Sequence, residues 1–280
     1  MKDQFEPSYI FVFDIETIPD DEAAIPLING DFPNIEAKRE ALTNYHLALT
    51  DGKNSFLRQP FHKVVAISFL VAKITKNYHN QEEYLLKEIR SGGTLNSTEE
   101  DLIKGFFQTI NKLKPRIISF NGRTFDIPVL KYRAMKYGIS GELYHTLGNK
   151  YENYNHRYAT GWHCDLLDAL SDFGASARVK LNEVCAIFGY PGKIGVDGSK
   201  VTTMYDNKEL KGIRDYCETD VLNTYLVYLR YMLHIEKISK IEYNKNIQDV
   251  IFFLENNKNK THFQEFLTMW HTASNGKLFL

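Results

Sequence analysis

Asp14 and Glu16 stand one residue apart at the end of an apolar run, in the stretch FVFDIETIPD. Side chains on a strand alternate between its faces, so both carboxylates point one way while Phe13 and Ile15 point into a core. Two carboxylates on one face repel each other unless a proton or a cation lies between them, and their pairing at a strand end predicts a divalent metal. A bare D-x-E after an apolar run also fits a solvated edge or a helix cap, so its meaning depends on what else the chain brings to it. In SFNGRTFDIPVL, Asp126 follows a strand and a loop at the mouth of a helix, with Phe125 beside it and Asn121 five residues before it. Alone it reads equally well as a helix cap. In IRDYCETDVLNTYLVYL, Tyr216 and Asp220 are four apart on a helix and share a face, a spacing that alone suits a hydrogen-bonded surface pair.

Together these groups suit phosphodiester hydrolysis. That reaction needs a nucleophile at neutral pH and a counter-charge for the departing oxygen, and two divalent ions supply both. Ligation by carboxylate oxygens alone selects hard cations, Mg²⁺ or Mn²⁺ ahead of zinc. A tyrosine of ordinary pKa orients a water more readily than it deprotonates one.

The elements that must position these groups follow an α/β pattern. Tyr9 to Phe13 is a short apolar strand, Lys63 to Ile74 is a second, rich in β-branched residues, and Glu83 to Arg90 is a candidate third. Ser97 and Glu100 form a capping-box pattern ahead of Leu102, Ile103, Phe106, Phe107, Ile110 and Leu113, apolar positions at helical spacing. Arg116 to Phe120 is a further strand, after which NGRTFDIPVLKYRAMKYG reads as loop then helix, with Pro128 in the first turn and Gly138 as its stop. HCDLLDAL is strand-like and precedes the helix LNEVCAIFG, and the last long helix runs from about Asn207 to Leu233. Residues 18–60 read as an insertion over one edge of the sheet, and 241–280 as a C-terminal helical hairpin packed on the domain formed by 1–240.

Composition bounds the partners. With 280 residues, 43% hydrophobic and 25% charged, the chain can bury a large core as one domain with appendages. A formal net charge of -1 gives no global attraction to a polyanion, so nucleic acid must be held by local groups or bound cations. The three cysteines, Cys164, Cys185 and Cys217, form no C-x-x-C pair, which argues for buried thiols rather than a disulfide framework or a zinc site. No signal peptide and no apolar run long enough to span a membrane is present, so the expected location is the cytoplasm.

FDIET, then N-x-x-x-F-D, then Y-x-x-x-D, in that order over residues 8 to 235, resembles the three exonuclease motifs of the DEDD superfamily in its tyrosine-bearing branch. NGRTFDIPVL is most similar to the proofreading exonuclease domain of family B DNA polymerases, and the later LNEVCAIFGYPGKIGVDGSKV resembles stand-alone exonucleases related to it. The resemblance implies a ribonuclease H-like fold, α/β with a mixed sheet of about five strands flanked by helices. It implies that Asp14, Glu16, Asp126 and Asp220 bind two divalent cations and that Tyr216 orients the attacking water. It also implies a 3′-5′ exonuclease acting on single-stranded 3′ ends, DNA ahead of RNA, with 5′-mononucleotides as products. No polymerase palm follows the motifs, so a free-standing nuclease or a nuclease subunit is expected.

The expected substrate contacts are Thr17 and Asn121 within the motifs, Phe125 as a stacking face or wedge, and Lys193 and Lys200 in the glycine-rich segment YPGKIGVDGSK. A core phenylalanine and a solvated loop are the plain alternatives for the last two features. FDIET also looks faintly like the D-x-D-x-T start of haloacid dehalogenase-type phosphatases, but Glu16 occupies the position of their second aspartate. A nuclease-like fold kept only for binding or scaffolding is the remaining alternative, and all five catalytic side chains are present against it.

Overall fold

The computed structural model describes residues 6–192 and 200–280. Strand β1 (Tyr9–Pro19) is followed by α1 (Ala24–Ile28) and α2 (Ile35–Leu49), then by the paired strands β2 (His62–Lys76) and β3 (Glu82–Ser91). Next come α3 (Glu99–Leu113), β4 (Arg116–Ser119), α4 (Asp126–Lys136), α5 (Glu142–Thr146), β5 (His163–Asp165) and α6 (Leu166–Leu170). They are followed by α7 (Leu181–Phe188), α8 (Val201–Asp206), the long α9 (Leu210–His234), α10 (Lys240–Asn256) and α11 (Thr261–Ala273).

The strands form one five-stranded sheet in the order β3-β2-β1-β4-β5. β2 is antiparallel to β1 and β3, whereas β4 and β5 run parallel to β1, so β2 is the one reversed strand. With helices on both faces, this is a ribonuclease H-like sheet. Alternation along β1 builds two cores: Ile10 and Val12 pack with Val221, Leu222 and Tyr225 of α9, while Phe11, Phe13 and Ile15 pack with Ile103 and Phe106 of α3 and Ile127 of α4. Asp14 and Glu16 therefore share the face that looks toward α9.

Where β1 loses a neighbour decides where the site can be. β2 accompanies β1 as far as Pro19, but β4 pairs only with Ile10 to Val12. The carboxylates thus stand within β1 rather than at its end, just past the point where its second partner stops. Opposite the step from Glu16 to Thr17 the register shifts, and Val65 of β2 is the extra residue.

Several local expectations are corrected. The cap of α3 is Thr98 with Asp101, each accepting the other's backbone N–H, because the Ser97 hydroxyl is taken by the N–H of Thr94. HCDLLDAL is a strand only to Asp165, whose carboxylate accepts the N–H of Leu167 and starts α6. α9 begins at Leu210, after Lys208 takes a left-handed φ of 62° that no helix continues through. Residues 20–61 tie down at the carboxyl end of β1 rather than along the edge strands β3 and β5. Arg39 bridges Asp21 and Asp206 of α8, and Gln59 Nε2 donates to the carbonyl of Thr124. Two helices, α10 and α11, stand where the helical hairpin is expected, and Ile247, Phe263, Phe266 and Trp270 bury their side chains in the core under α9. Among the described residues no helix is long and apolar enough to cross a membrane.

Candidate active site

β1 and α9 bring their chemistry together across the sheet face. Asp14, Glu16 and Cys217 each place a ligand atom within 4.8 Å of the others. Tyr216 and Asp220 flank Cys217 on α9, and the Asp220 carboxylate acts on the Tyr216 hydroxyl beside it. Tyr216 is also buried, with its ring packed among Ile18, Val65, Ala66, Val201 and Ile213. The thiol of Cys217 donates to the Asp14 backbone carbonyl at 3.4 Å and to its Oδ2 at 3.7 Å. Its placement beside the carboxylates lay outside the sequence expectation, since helical phase puts position 217 between two candidate catalytic residues but does not say which strand it meets.

Asp126 arrives from the other side of β1. Oδ1 of Asp126 accepts the backbone N–H of Ile15 at 3.3 Å, on the edge of β1 that β4 has left open. It is the first residue of α4 and not its cap. The loop before it is held tightly: Asn121 takes a left-handed φ of 71°, and a Cβ on Gly122 would lie 2.6 Å from Ser119. Asp165, itself buried, fixes that loop by accepting the N–H groups of Asn121 at 2.9 Å and Arg123 at 2.8 Å.

The electrostatics match crowded acids. Burial pushes the Asp14 carboxyl well above the usual range, and the charges of Asp126, Glu16 and Asp220 push it further. Asp126 is pushed up to about 7, mainly by burial, with Asp165 adding to the shift and the N–H groups of Asp126 and Ile15 opposing it. The Tyr216 hydroxyl is also driven up by burial and by Asp220, Glu16 and Asp14, so it stays a phenol. Burial and the same acids hold Cys217 as a thiol. A divalent cation among these oxygens relieves the repulsion, so the donor set fits such an ion.

α9 is anchored behind the site by a buried polar chain. Glu218 accepts from Ser91 N–H and Oγ, from Lys260 Nζ and from the ring of His262, the last two at 2.9 Å. Those partners hold Glu218 down to about 2 against the effect of its burial. The segment carrying Lys260 and His262 is thereby tied to the helix turn between Tyr216 and Asp220.

The expected substrate contacts divide. Thr17 Oγ1 lies 2.9 Å from Nδ1 of His62, whose Nε2 donates to the Leu57 carbonyl; the Thr17 hydroxyl is therefore the donor to Nδ1. Phe125 is half-buried against His62 and Phe56. Asn121 lines a cleft of about 500 Å³ with Asp14 and Asp220, and Arg178, Lys180 and Asn182 line it too. Arg178 donates to Asn121 Oδ1 at 2.9 Å. These cleft cations were missed because R-V-K before a helix is unremarkable as sequence. Lys200 is exposed at the start of α8, beside Val201 that packs on Tyr216, and is not part of that cleft; Lys193 lies outside the described residues.

A family model described as a predicted 3′-5′ exonuclease related to the exonuclease domain of PolB matches residues 54–270. The matched stretch contains Asp126, Tyr216 and Asp220, and it begins after Asp14 and Glu16. Among solved structures, the family B DNA polymerase from the hyperthermophilic archaeon Pyrobaculum calidifontis is similar at 17% identity and a TM-score of 0.43. The similarity covers 88% of this chain and 29% of that polymerase. No curated protein matches the chain.

Proposed function

The chain belongs to the predicted 3′-5′ exonucleases related to the exonuclease domain of PolB, and from that membership we propose that it shortens single-stranded nucleic acid from the 3′ end and releases 5′-mononucleotides. We put DNA ahead of RNA because the family is described as related to the exonuclease domain of PolB. The observation that carries the reading is the convergence of Asp14 and Glu16 of β1 with Tyr216 and Asp220 of α9, closed from the open strand edge by Asp126.

Asp14, Glu16, Asp126 and Asp220 would hold two Mg²⁺ or Mn²⁺ ions, which when bound supply a nucleophile at neutral pH and counter-charge for the departing 3′ oxygen. The protein's own part is positioning. Tyr216, kept as a phenol beside Asp220, offers an oxygen lone pair for a proton of the attacking water, which aims that water at phosphorus. In this reading residues 1–240 are the nuclease unit, and 241–280 steady α9 through Glu218.

The test is incubation with matched 3′-labelled and 5′-labelled single strands of DNA and RNA, in Mg²⁺, in Mn²⁺ and in excess chelator. Stepwise loss from the 3′ end in metal alone supports the reading, and faster loss of RNA would reassign the sugar. Full activity in chelator, or shortening from the 5′ end, overturns it.

A further inference from the structure

Phe56 sits in the segment between β1 and β2 with its neighbour Leu57 turned the opposite way. Leu57 is buried in a small core with Ala24 and Leu42, whereas Phe56 is 60% exposed. A segment that only covered the sheet would gain by burying the larger ring. Instead the Phe56 ring lies 5.6 Å from that of Phe125 and 5.1 Å from that of His62, and those two meet edge to face at 4.8 Å. Phe125 adjoins Asp126, and His62 is bonded to Thr17, next to Glu16. Through Phe125 the cluster adjoins Asp126, one of the candidate metal ligands. Its geometry is fixed: the Phe56 N–H donates to Asn54 Oδ1 at 2.9 Å, the Asn54 N–H donates to Thr50 Oγ1 at 3.0 Å, and Gln59 binds the Thr124 carbonyl.

We infer that Phe56 is a stacking platform for a nucleobase near the 3′ end of a bound single strand. The inference rests on the nuclease reading of the same site and gives the segment between β1 and β2 a role in binding. An aromatic face serves any base, because every base offers a π-face, so the platform contributes affinity without sequence preference.

The probe is a short single strand of DNA with phosphorothioate linkages at its 3′ end and 2-aminopurine at the terminal or the penultimate position, bound in Mn²⁺. The parent is expected to quench the fluorescence of at least one of the two probes. Phe56→Ala should abolish that quenching and weaken binding by about 5- to 100-fold. Phe56→Tyr, which keeps the ring, should restore both. In turnover of ordinary strands, Phe56→Ala should raise KM and leave kcat close to the parental value. Unchanged quenching and affinity in Phe56→Ala overturn the inference while leaving the nuclease reading intact. A parent that cleaves neither DNA nor RNA yet shows Phe56-dependent quenching overturns the nuclease reading alone. A parent that neither cleaves nor binds single strands overturns both.

Discussion

Asp126 accepts the backbone N–H of Ile15, the residue that stands between Asp14 and Glu16. A group that β4 would have satisfied had it been longer is satisfied instead by a candidate metal ligand. The start of α4 is thereby fixed to the strand that carries the other acids.

This bond separates two substitutions of one residue. Asp126→Asn keeps a carbonyl oxygen for the Ile15 N–H but loses the charge, whereas Asp126→Ala loses both and strands a buried donor. Both variants are expected to lose cleavage by orders of magnitude. Asp126→Ala should in addition be about 1 to 3 kcal/mol less stable than Asp126→Asn, the cost of an unsatisfied buried group. Equal denaturation midpoints for the two in chelator would mean that the Ile15 bond contributes nothing.

Crowding of the acids gives a second expectation. Asp14 is raised by burial and by three neighbouring carboxylates, so its ionised form weakens the metal-free fold. A raised carboxyl has its stabilising proton below the ordinary carboxylate range and loses it as pH rises through the folded value. At neutral pH and above, Asp14→Asn in chelator should therefore melt above the parent. Mn²⁺ should raise the parental melting temperature and move that of Asp14→Asn far less. A thermal-shift series in chelator and in Mn²⁺ checks both, and a variant that melts below the parent at every pH would contradict the crowding argument.

The far end of the sheet offers a control that should leave catalysis alone. Glu82 at the start of β3 holds Arg116 at the start of β4 through two contacts of 2.7 and 2.8 Å. Glu82 is buried, which by itself would raise its pKa, but Arg116 holds it below its ordinary 4.5. For a depressed carboxyl the stabilisation is present above 4.5 and is lost as pH falls through the folded value. Glu82→Gln leaves Arg116 buried without its counter-charge, at a cost of about 3 to 5 kcal/mol near neutrality. Urea titrations at several pH values should show the gap from the parent closing below pH 4.5. Cleavage by the folded variant should stay near parental.

How much of this was visible in the chain itself depends on the range over which each feature is decided. Asp14 and Glu16 were legible because alternation along a strand is local, and Tyr216 with Asp220 because helical spacing is local. The Ile15 bond was not, since it depends on where β4 stops, a property of a partner strand about a hundred residues away. Arg178 and Phe56 stayed hidden for the same reason: each matters through a neighbour, Asn121 or Phe125, that only the folded chain supplies. The cap of α3 was misplaced by one residue because Thr98 with Asp101 fits the same local pattern as Ser97 with Glu100. Only the turn bond from Thr94 to Ser97 decides between them.

The last expectation concerns Tyr216→Phe, which keeps the ring and removes the hydroxyl. Spacing alone predicts a loss of rate with no change in stability. The place of that hydroxyl beside Asp220 adds a second consequence, because the change takes a donor group away from a buried carboxylate. In chelator the variant should be about 1 kcal/mol less stable than the parent, the ordinary worth of one hydrogen bond. In Mn²⁺ the deficit should shrink, since a cation supplies the charge that the lost donor had offset. The single-turnover rate should fall by about 10- to 1,000-fold, or roughly 1.4 to 4 kcal/mol of transition-state stabilisation, with strand affinity little changed. Parental turnover beside a reduced melting temperature would make the hydroxyl a structural donor to Asp220 and nothing more. Reduced turnover with an unshifted melting temperature in chelator would instead leave the water-orienting role standing and remove the hydroxyl's place beside Asp220 from the account of stability.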